Sequence, residues 1–182
     1  MLCDEQALSE LSWQKIADKN NISATSLKLT FKNKTNIYLD ILKLIDIRVE
    51  ADFDVSSLSE TPKDRLFEIL MLRFDILNEH REAYKSLFFE TFKTPKIFRR
   101  ALPQFHKSME AMLRLADANG RDGKGCPPLR TGALALVYLN TVRIWMNDDS
   151  PDMAATMAEL DKGLSKLDQA LDYIPEPLRA FI

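Results

Sequence analysis

Glycine, cysteine and histidine are scarce in this chain, and each scarcity excludes a class of protein. Only 5 of the 182 residues are glycine, and three of these lie between Gly120 and Gly125, so no Gly-rich phosphate loop or nucleophile elbow is present. Two cysteines are too few for a disulfide framework and fit a reducing cytoplasm. The two histidines, His80 and His106, stand apart from any cysteine or acid cluster at metal spacing, so we expect no metal and no cofactor.

Long apolar runs and strand patterns are also missing. The longest apolar stretch, near GALALVYL, is far below the roughly 18 residues that a membrane-spanning helix needs. The acidic start MLCDEQALSE lacks the apolar region of a signal peptide, which favours a cytoplasmic protein. Because the net charge is −2, any electrostatic attraction to nucleic acid has to come from a local patch of positive charge. With no catalytic motif, the sequence argues against an enzyme.

Helical periodicity, in contrast, is frequent. Apolar residues recur at helical spacing after Thr35, after Pro62 and through the segment that ends at Asn119, which Pro103 should kink or split. Ser150 and Pro151 have the residue types of an N-cap and a first helical position, so the last long helix is expected to begin at Pro151. The predicted architecture is all-α, with short polar helices first and a larger helical bundle from about residue 35.

The segment from Trp13 to Lys34 has the spacing of a helix-turn-helix. Ile16 and the small Ala17 provide an anchor and a helix-contact residue, and Asn21 stands where the turn often needs left-handed backbone. Ile22 and Leu27 are the apolar residues expected behind the second helix. Ser12, Ser23 and Asn33 each precede a predicted helix as possible N-caps.

The charge of the same segment is lopsided. It contains five lysines and one acid, Asp18, within a chain that is acidic overall. Such a patch can face DNA phosphates. An ordinary helical hairpin with a solvated lysine face would have the same composition, and spacing alone leaves both interpretations open.

The stretch from Ile16 to Leu42 resembles the N-terminal domain of TetR-family transcriptional regulators. The residues that carry the resemblance are Ile16, Ala17, Ile22, Ser23, Leu27, Phe31, Asn33, Lys34 and Ile37. The resemblance implies a homodimer that binds a palindromic operator in double-stranded DNA, with a DNA-binding domain at 1–34 and a ligand-binding and dimerisation domain at 35–182. The DNA-binding residues would be Lys15, Ser23, Thr25, Ser26, Lys28, Thr30, Lys32 and Lys34.

Two features depart from the family pattern. Lys28 stands where the family usually has a phosphate-contacting tyrosine. Fewer residues precede Trp13 than the family's first helix and turn occupy, so the first helix is predicted to be shortened. Either translation starts further upstream, or the DNA-binding head is vestigial and binds weakly.

The stretch from Leu136 to Leu164 also resembles TetR-family regulators, and equally the TetR-fold lipid-binding protein of ubiquinone biosynthesis. The alternative function is therefore that of a lipid- or isoprenoid-binding accessory protein. The resemblance also implies that the two helices of this stretch form a dimer interface. The interface residues would be Leu136, Leu139, Val142, Trp145, Met157, Leu160 and Leu164. An apolar ligand or lipid would bind among Phe88, Phe92, Phe98, Phe105, Met109 and Met112, although the same residues suit plain core packing.

Overall fold

The computed structural model describes residues 12–31, 33–53, 61–117 and 127–172. These residues form eight helices and no strand, which confirms the all-α prediction. The helices are α1 (Trp13–Lys19), α2 (Ala24–Thr30), α3 (Lys34–Asp52), α4 (Pro62–Asn78), α5 (Arg81–Lys93), α6 (Pro95–Leu115), α7 (Pro127–Trp145) and α8 (Ala154–Asp172). Within the described residues, no helix combines the length and apolarity needed to cross a bilayer.

The chain divides into two compact units. The first consists of Met1–Arg48 and Phe74–Gln104, and the second of Val49–Arg73 and Phe105–Ile182. This division concerns packing only, so the functional boundary between residues 34 and 35 stays a prediction.

In the first unit, Ala17 and Leu27 are buried in the two short helices, and Tyr38, Leu42 and Ile45 are buried along α3. A bidentate ion pair ties α3 to the turn after α4: the two Arg48 guanidinium nitrogens donate to the Glu79 carboxylate oxygens at 2.8 and 2.7 Å. This hydrogen-bonded partner holds the pKa of Glu79 below its ordinary value.

In the second unit, a buried arginine lies among apolar side chains. The Arg73 Nε donates to the Tyr138 hydroxyl at 3.0 Å, and its guanidinium carbon lies 5.4 Å from the centre of the same ring. Phe105 packs on Tyr138 with ring centres 5.9 Å apart. Met109 and Met112 are fully buried on α6.

Helices α7 and α8 pack closely in this second unit because Gly163 has no side chain. A Cβ at that position would lie 2.6 Å from Cγ1 of Val137. The close approach therefore excludes even alanine without a shift of Val137.

Two expectations about helix ends need correction, and a third is narrowed. Helix α6 is continuous through Pro103, which excludes the split, while the kink stays a prediction. It ends at Leu115, where Asp117 adopts a left-handed φ of 52°, whereas Asn119 lies outside the described residues. Helix α8 begins at Ala154 rather than Pro151.

The late start of α8 has a local cause. Met153 has a φ of 52°, which no α-helical residue can have, so Pro151 and Asp152 form a turn. Ser150 still caps the helix, since its Oγ accepts from the backbone N–H of Ala154 at 2.9 Å. Asp148 holds this arrangement from outside the helix, accepting hydrogen bonds from Ser150 and Thr156.

Candidate nucleic-acid interface

Helix α1 is fixed at its start by a capping serine. The Ser12 Oγ accepts a hydrogen bond from the backbone N–H of Lys15 at 3.1 Å, as predicted for an N-cap. One turn further on, the Gln14 side-chain amide donates to the Asp18 carboxylate at 2.7 Å. Ala17 is fully buried, so the smallest side chain of α1 lies where the helix meets its neighbour.

The turn between α1 and α2 is a Schellman motif built on asparagine. The Ile22 N–H donates to the Ala17 carbonyl at 3.1 Å, and the Asn21 N–H donates to the Asp18 carbonyl at 3.3 Å. Asn21 itself has a φ of 52°, as its position in the sequence predicted. The Asn20 side chain adds a hydrogen bond to the Ile16 carbonyl at 2.8 Å, a role that sequence reasoning missed.

Helix α2 follows at once and is capped in the same way. The Ser23 Oγ accepts from the backbone N–H of Thr25 at 3.2 Å. Leu27 is the one buried residue of α2, and it anchors the helix in the first unit. The helix-turn-helix predicted from spacing is therefore present. Asn33 also acts as predicted, since its Oδ1 accepts from the N–H of Asn36 at 3.1 Å.

One predicted anchor is wrong. Ile22 is 48% exposed rather than packed behind α2. The reason is that Ile22 belongs to the turn, where its backbone N–H rather than its side chain makes the stabilising interaction. Ile16 and Phe31 are half-buried.

Most of the predicted DNA-binding residues are exposed. The exposed members of the predicted DNA-binding set are Lys15, Ser23, Thr25, Ser26, Lys28 and Thr30. Lys32 lies outside the described residues, and of Lys34 only its backbone, at the start of α3, is described. The exposed set offers ammonium groups, hydroxyls and no carboxylate.

Leu29 is a further exposed residue of α2 that the sequence prediction omitted. Its side chain is 81% exposed. Helical spacing in the sequence could have predicted this exposure, because Leu29 lies about 200° around the helix from the anchor Leu27. An apolar side chain so placed can contact the methyl group of thymine.

The predicted dimer residues fall into two groups. Val142, Trp145, Leu160 and Leu164 are buried within the single chain, and Leu139 is half-buried. Leu136 is 71% exposed and Met157 is also exposed. A second copy of the chain can reach the exposed residues directly, while the buried ones belong to the core of the second unit.

The predicted ligand residues lie in both units. Phe88, Phe92 and Phe98 belong to the first unit, and Phe105, Met109 and Met112 to the second. In the first unit, Phe88 is buried, and the exposed Phe92 contacts Phe98 with ring centres 6.2 Å apart. In the second unit the two methionines are fully buried.

Comparison with known proteins gives structural matches alone. No protein-family model and no curated protein sequence matches the chain. A crystal structure of a TetR transcriptional regulator from Nitrosomonas europaea ATCC 19718 is similar, with a TM-score of 0.70 and 17% identity, covering 92% of each chain. A TetR transcriptional regulator from Rhodococcus sp. RHA1 gives a TM-score of 0.64 and 16% identity, covering 94% of this chain and 91% of that one. The chain therefore has the fold of the TetR transcriptional regulators.

Proposed function

We propose that this protein is a TetR-type one-component transcriptional regulator that binds double-stranded DNA through α2. The observation that carries the proposal is the construction of α1 and α2. Two capped helices are joined by a Schellman turn at Asn21, and α2 is held by the single buried residue Leu27 while its polar side chains face outward. An ordinary solvated hairpin has no need of this arrangement, whereas a recognition helix does.

The outward residues have distinct roles in the proposal. Thr25, Ser26 and Lys28 approach base edges in the major groove, and Leu29 contacts a thymine methyl group. Thr30 has its hydroxyl proton engaged with the Ser26 carbonyl at 3.0 Å, so it acts toward DNA as an acceptor. Lys15 neutralises a phosphate, and Ser23, Lys32 and Lys34 are proposed as further backbone contacts.

We propose that the functional form is a two-fold dimer formed by α7 and α8, which would present two copies of α2 to the half-sites of a palindromic operator. A small apolar ligand bound in the helical body would shift the balance between DNA-competent and incompetent arrangements. Phe105, Met109 and Met112 are the candidates for its contacts in the second unit. We expect a cytoplasmic protein with no enzymatic activity.

The accessory lipid-binding function is not favoured. That alternative implies a vestigial head, yet the caps, the left-handed turn and the buried Ala17 and Leu27 of a helix-turn-helix are all retained. The first helix that was predicted to be shortened lies outside the described residues. Both similar structures are described as TetR transcriptional regulators.

The test is a fluorescence-anisotropy titration of the dimer with DNA from upstream of its own gene and with a scrambled duplex. Lys15→Ala should weaken binding to both duplexes and reduce the salt slope by about 1 per subunit, whereas Lys28→Ala should weaken binding to the operator more than binding to the scrambled duplex. Thr25→Ala and Ser26→Ala should weaken binding to the operator alone, by about 1–3 kcal/mol for each base-edge hydrogen bond that the substitution removes.

Lys43→Ala provides the matched control, since Lys43 is an exposed lysine of α3 that pairs with Asp40 at 2.7 Å. Its removal should leave the affinity for DNA unchanged. Equal binding of upstream and scrambled DNA, with no effect of Lys28→Ala, would refute the proposal.

A further inference from the structure

A surface of the first unit combines exposed aromatic rings with exposed cations. On α5, Phe89 is 59% exposed and Phe92 is 47% exposed, one helical turn apart. Leu102 is exposed on α6. We call this the basic–aromatic surface, and its members are Phe89, Phe92, Lys93, Lys96, Arg99, Arg100 and Leu102.

One ring and one cation of this surface are in contact. The Lys93 Nζ lies 5.1 Å from the centre of the Phe89 ring, a cation–π distance. Phe92 packs against Phe98, which lies one turn before Leu102 on α6. Phe98 and Leu102 lie on one side of α6, and the exposed Arg99 is next to them around the helix. Lys96 and Arg100 are exposed on the outer side of α6.

The charge of this region differs from that of the rest of the chain. Between Glu90 and Glu110 the sequence has five lysines and arginines and no acid, leaving 20 basic against 27 acidic residues elsewhere. Within the described residues, no ion pair engages Lys96, Arg99 or Arg100. At physiological salt a charge acts over roughly 8 Å, so this local excess determines what the surface attracts.

We propose that the basic–aromatic surface binds an anionic lipid bilayer peripherally. The headgroup region of a bilayer takes up aromatic rings and leucine at its apolar boundary while its phosphates pair with lysine and arginine. Duplex DNA would satisfy the cations but leave two phenylalanine rings in water. This inference is independent of DNA binding by α2, since it uses other residues and another partner.

The test is flotation of the full-length protein with vesicles of phosphatidylcholine alone and of an equal mixture with phosphatidylglycerol. The wild type should bind the anionic vesicles and release them as salt is raised. Phe89→Ser with Phe92→Ser, and separately Arg99→Gln with Arg100→Gln, should each lower the partition coefficient by at least about tenfold.

Matched controls come from the same protein. Leu44 and Ile47 are apolar residues of α3 that are each 59% exposed, so Leu44→Ser with Ile47→Ser removes as much exposed apolar surface from elsewhere in the first unit. Lys43→Gln with Lys166→Gln removes two exposed charges outside the surface. Both double variants should bind anionic vesicles like the wild type, and thermal melts should show all variants folded.

Three outcomes would overturn the proposal. The first is no binding of the wild type to either vesicle, and the second is equal binding to both. The third is binding that survives the phenylalanine substitutions and is competed by soluble polyglutamate or random duplex DNA, which would identify general polyanion binding. The wild-type comparison of two lipid compositions at several salt concentrations tests the first two outcomes even if a variant proves unstable.

Discussion

At the scale of the residue, Asp148 concentrates more interactions than any sequence pattern indicated. One carboxylate oxygen accepts from the Ser150 hydroxyl and N–H, and the other accepts from the Thr156 hydroxyl and N–H at 2.7 and 2.8 Å. Burial alone would raise the pKa of Asp148, but these four hydrogen bonds outweigh it and hold the pKa well below its ordinary value of 3.8. Asp148 therefore joins the end of α7 to the start of α8 in its charged form.

We expect Asp148→Asn to lower the free energy of unfolding by about 2 kcal/mol near pH 7, because it leaves buried donors without an acceptor. The native pKa lies below the unfolded one, so the stabilisation is present above 3.8 and is lost as pH falls through lower values. Urea unfolding should show the gap between wild type and variant closing in that acidic range. Asp152→Asn, in the exposed part of the same turn, should have little effect, and a gap that stays constant with pH would contradict the assignment.

At the scale of the element, the packing of α7 on α8 depends on the absence of a side chain. A Cβ on Gly163 would lie 2.6 Å from Val137, whereas one on Gly132, in the exposed part of α7, would meet nothing within 4 Å. Both glycines lie within helices, and they differ in whether another side chain occupies the space that a Cβ would fill.

We expect Gly163→Ala to destabilise the protein by about 1–3 kcal/mol through overpacking. Gly132→Ala, measured at concentrations at which the chain is monomeric, should stabilise it by about 0.5–1 kcal/mol, because alanine favours the helix and its Cβ meets no atom of the same chain within 4 Å. Chemical denaturation of both variants provides the comparison. Combining Gly163→Ala with Val137→Ala should recover part of the loss, and equal effects of the two single substitutions would show that helix propensity alone is at work.

At the scale of the whole molecule, the proposed dimer depends on which side of α7 is exposed to solvent. Leu129, Gly132, Leu136 and Leu139 recur at helical spacing, and the first three of these are exposed. Trp145, nine positions after Leu136, lies half a turn around the helix and is fully buried. The exposed stripe is the surface on which a second copy can pack.

Leu136→Glu should therefore raise the dimer dissociation constant by at least about tenfold, because it places a charge in the centre of an apolar interface. Sedimentation velocity at micromolar concentrations measures the change. Ile47→Glu, at an equally apolar exposed position of α3, serves as the control and should remain dimeric. A wild type that is monomeric under these conditions, or a dimer that survives Leu136→Glu, would remove α7 from the interface.

Much of the fold and of the candidate site could be read from local patterns. The caps at Ser12, Ser23 and Asn33 and the left-handed Asn21 follow from chemistry within four residues, which a sequence displays directly. The burial of Ala17 and Leu27 follows from their positions on either side of the turn that connects α1 and α2. These local features suffice to predict the helix-turn-helix.

Tertiary structure decided what depends on partners distant in sequence or on which face of a helix is covered. The late start of α8 required Asp148, eight residues before Thr156, to hold that turn from outside the helix. The division of the predicted dimer residues into exposed Leu136 and buried Trp145 arose because an apolar residue looks the same in sequence whether its own chain or another covers it. The basic–aromatic surface emerged for the same reason, since only the tertiary structure shows that Phe89 and Phe92 are exposed while Phe88 is buried.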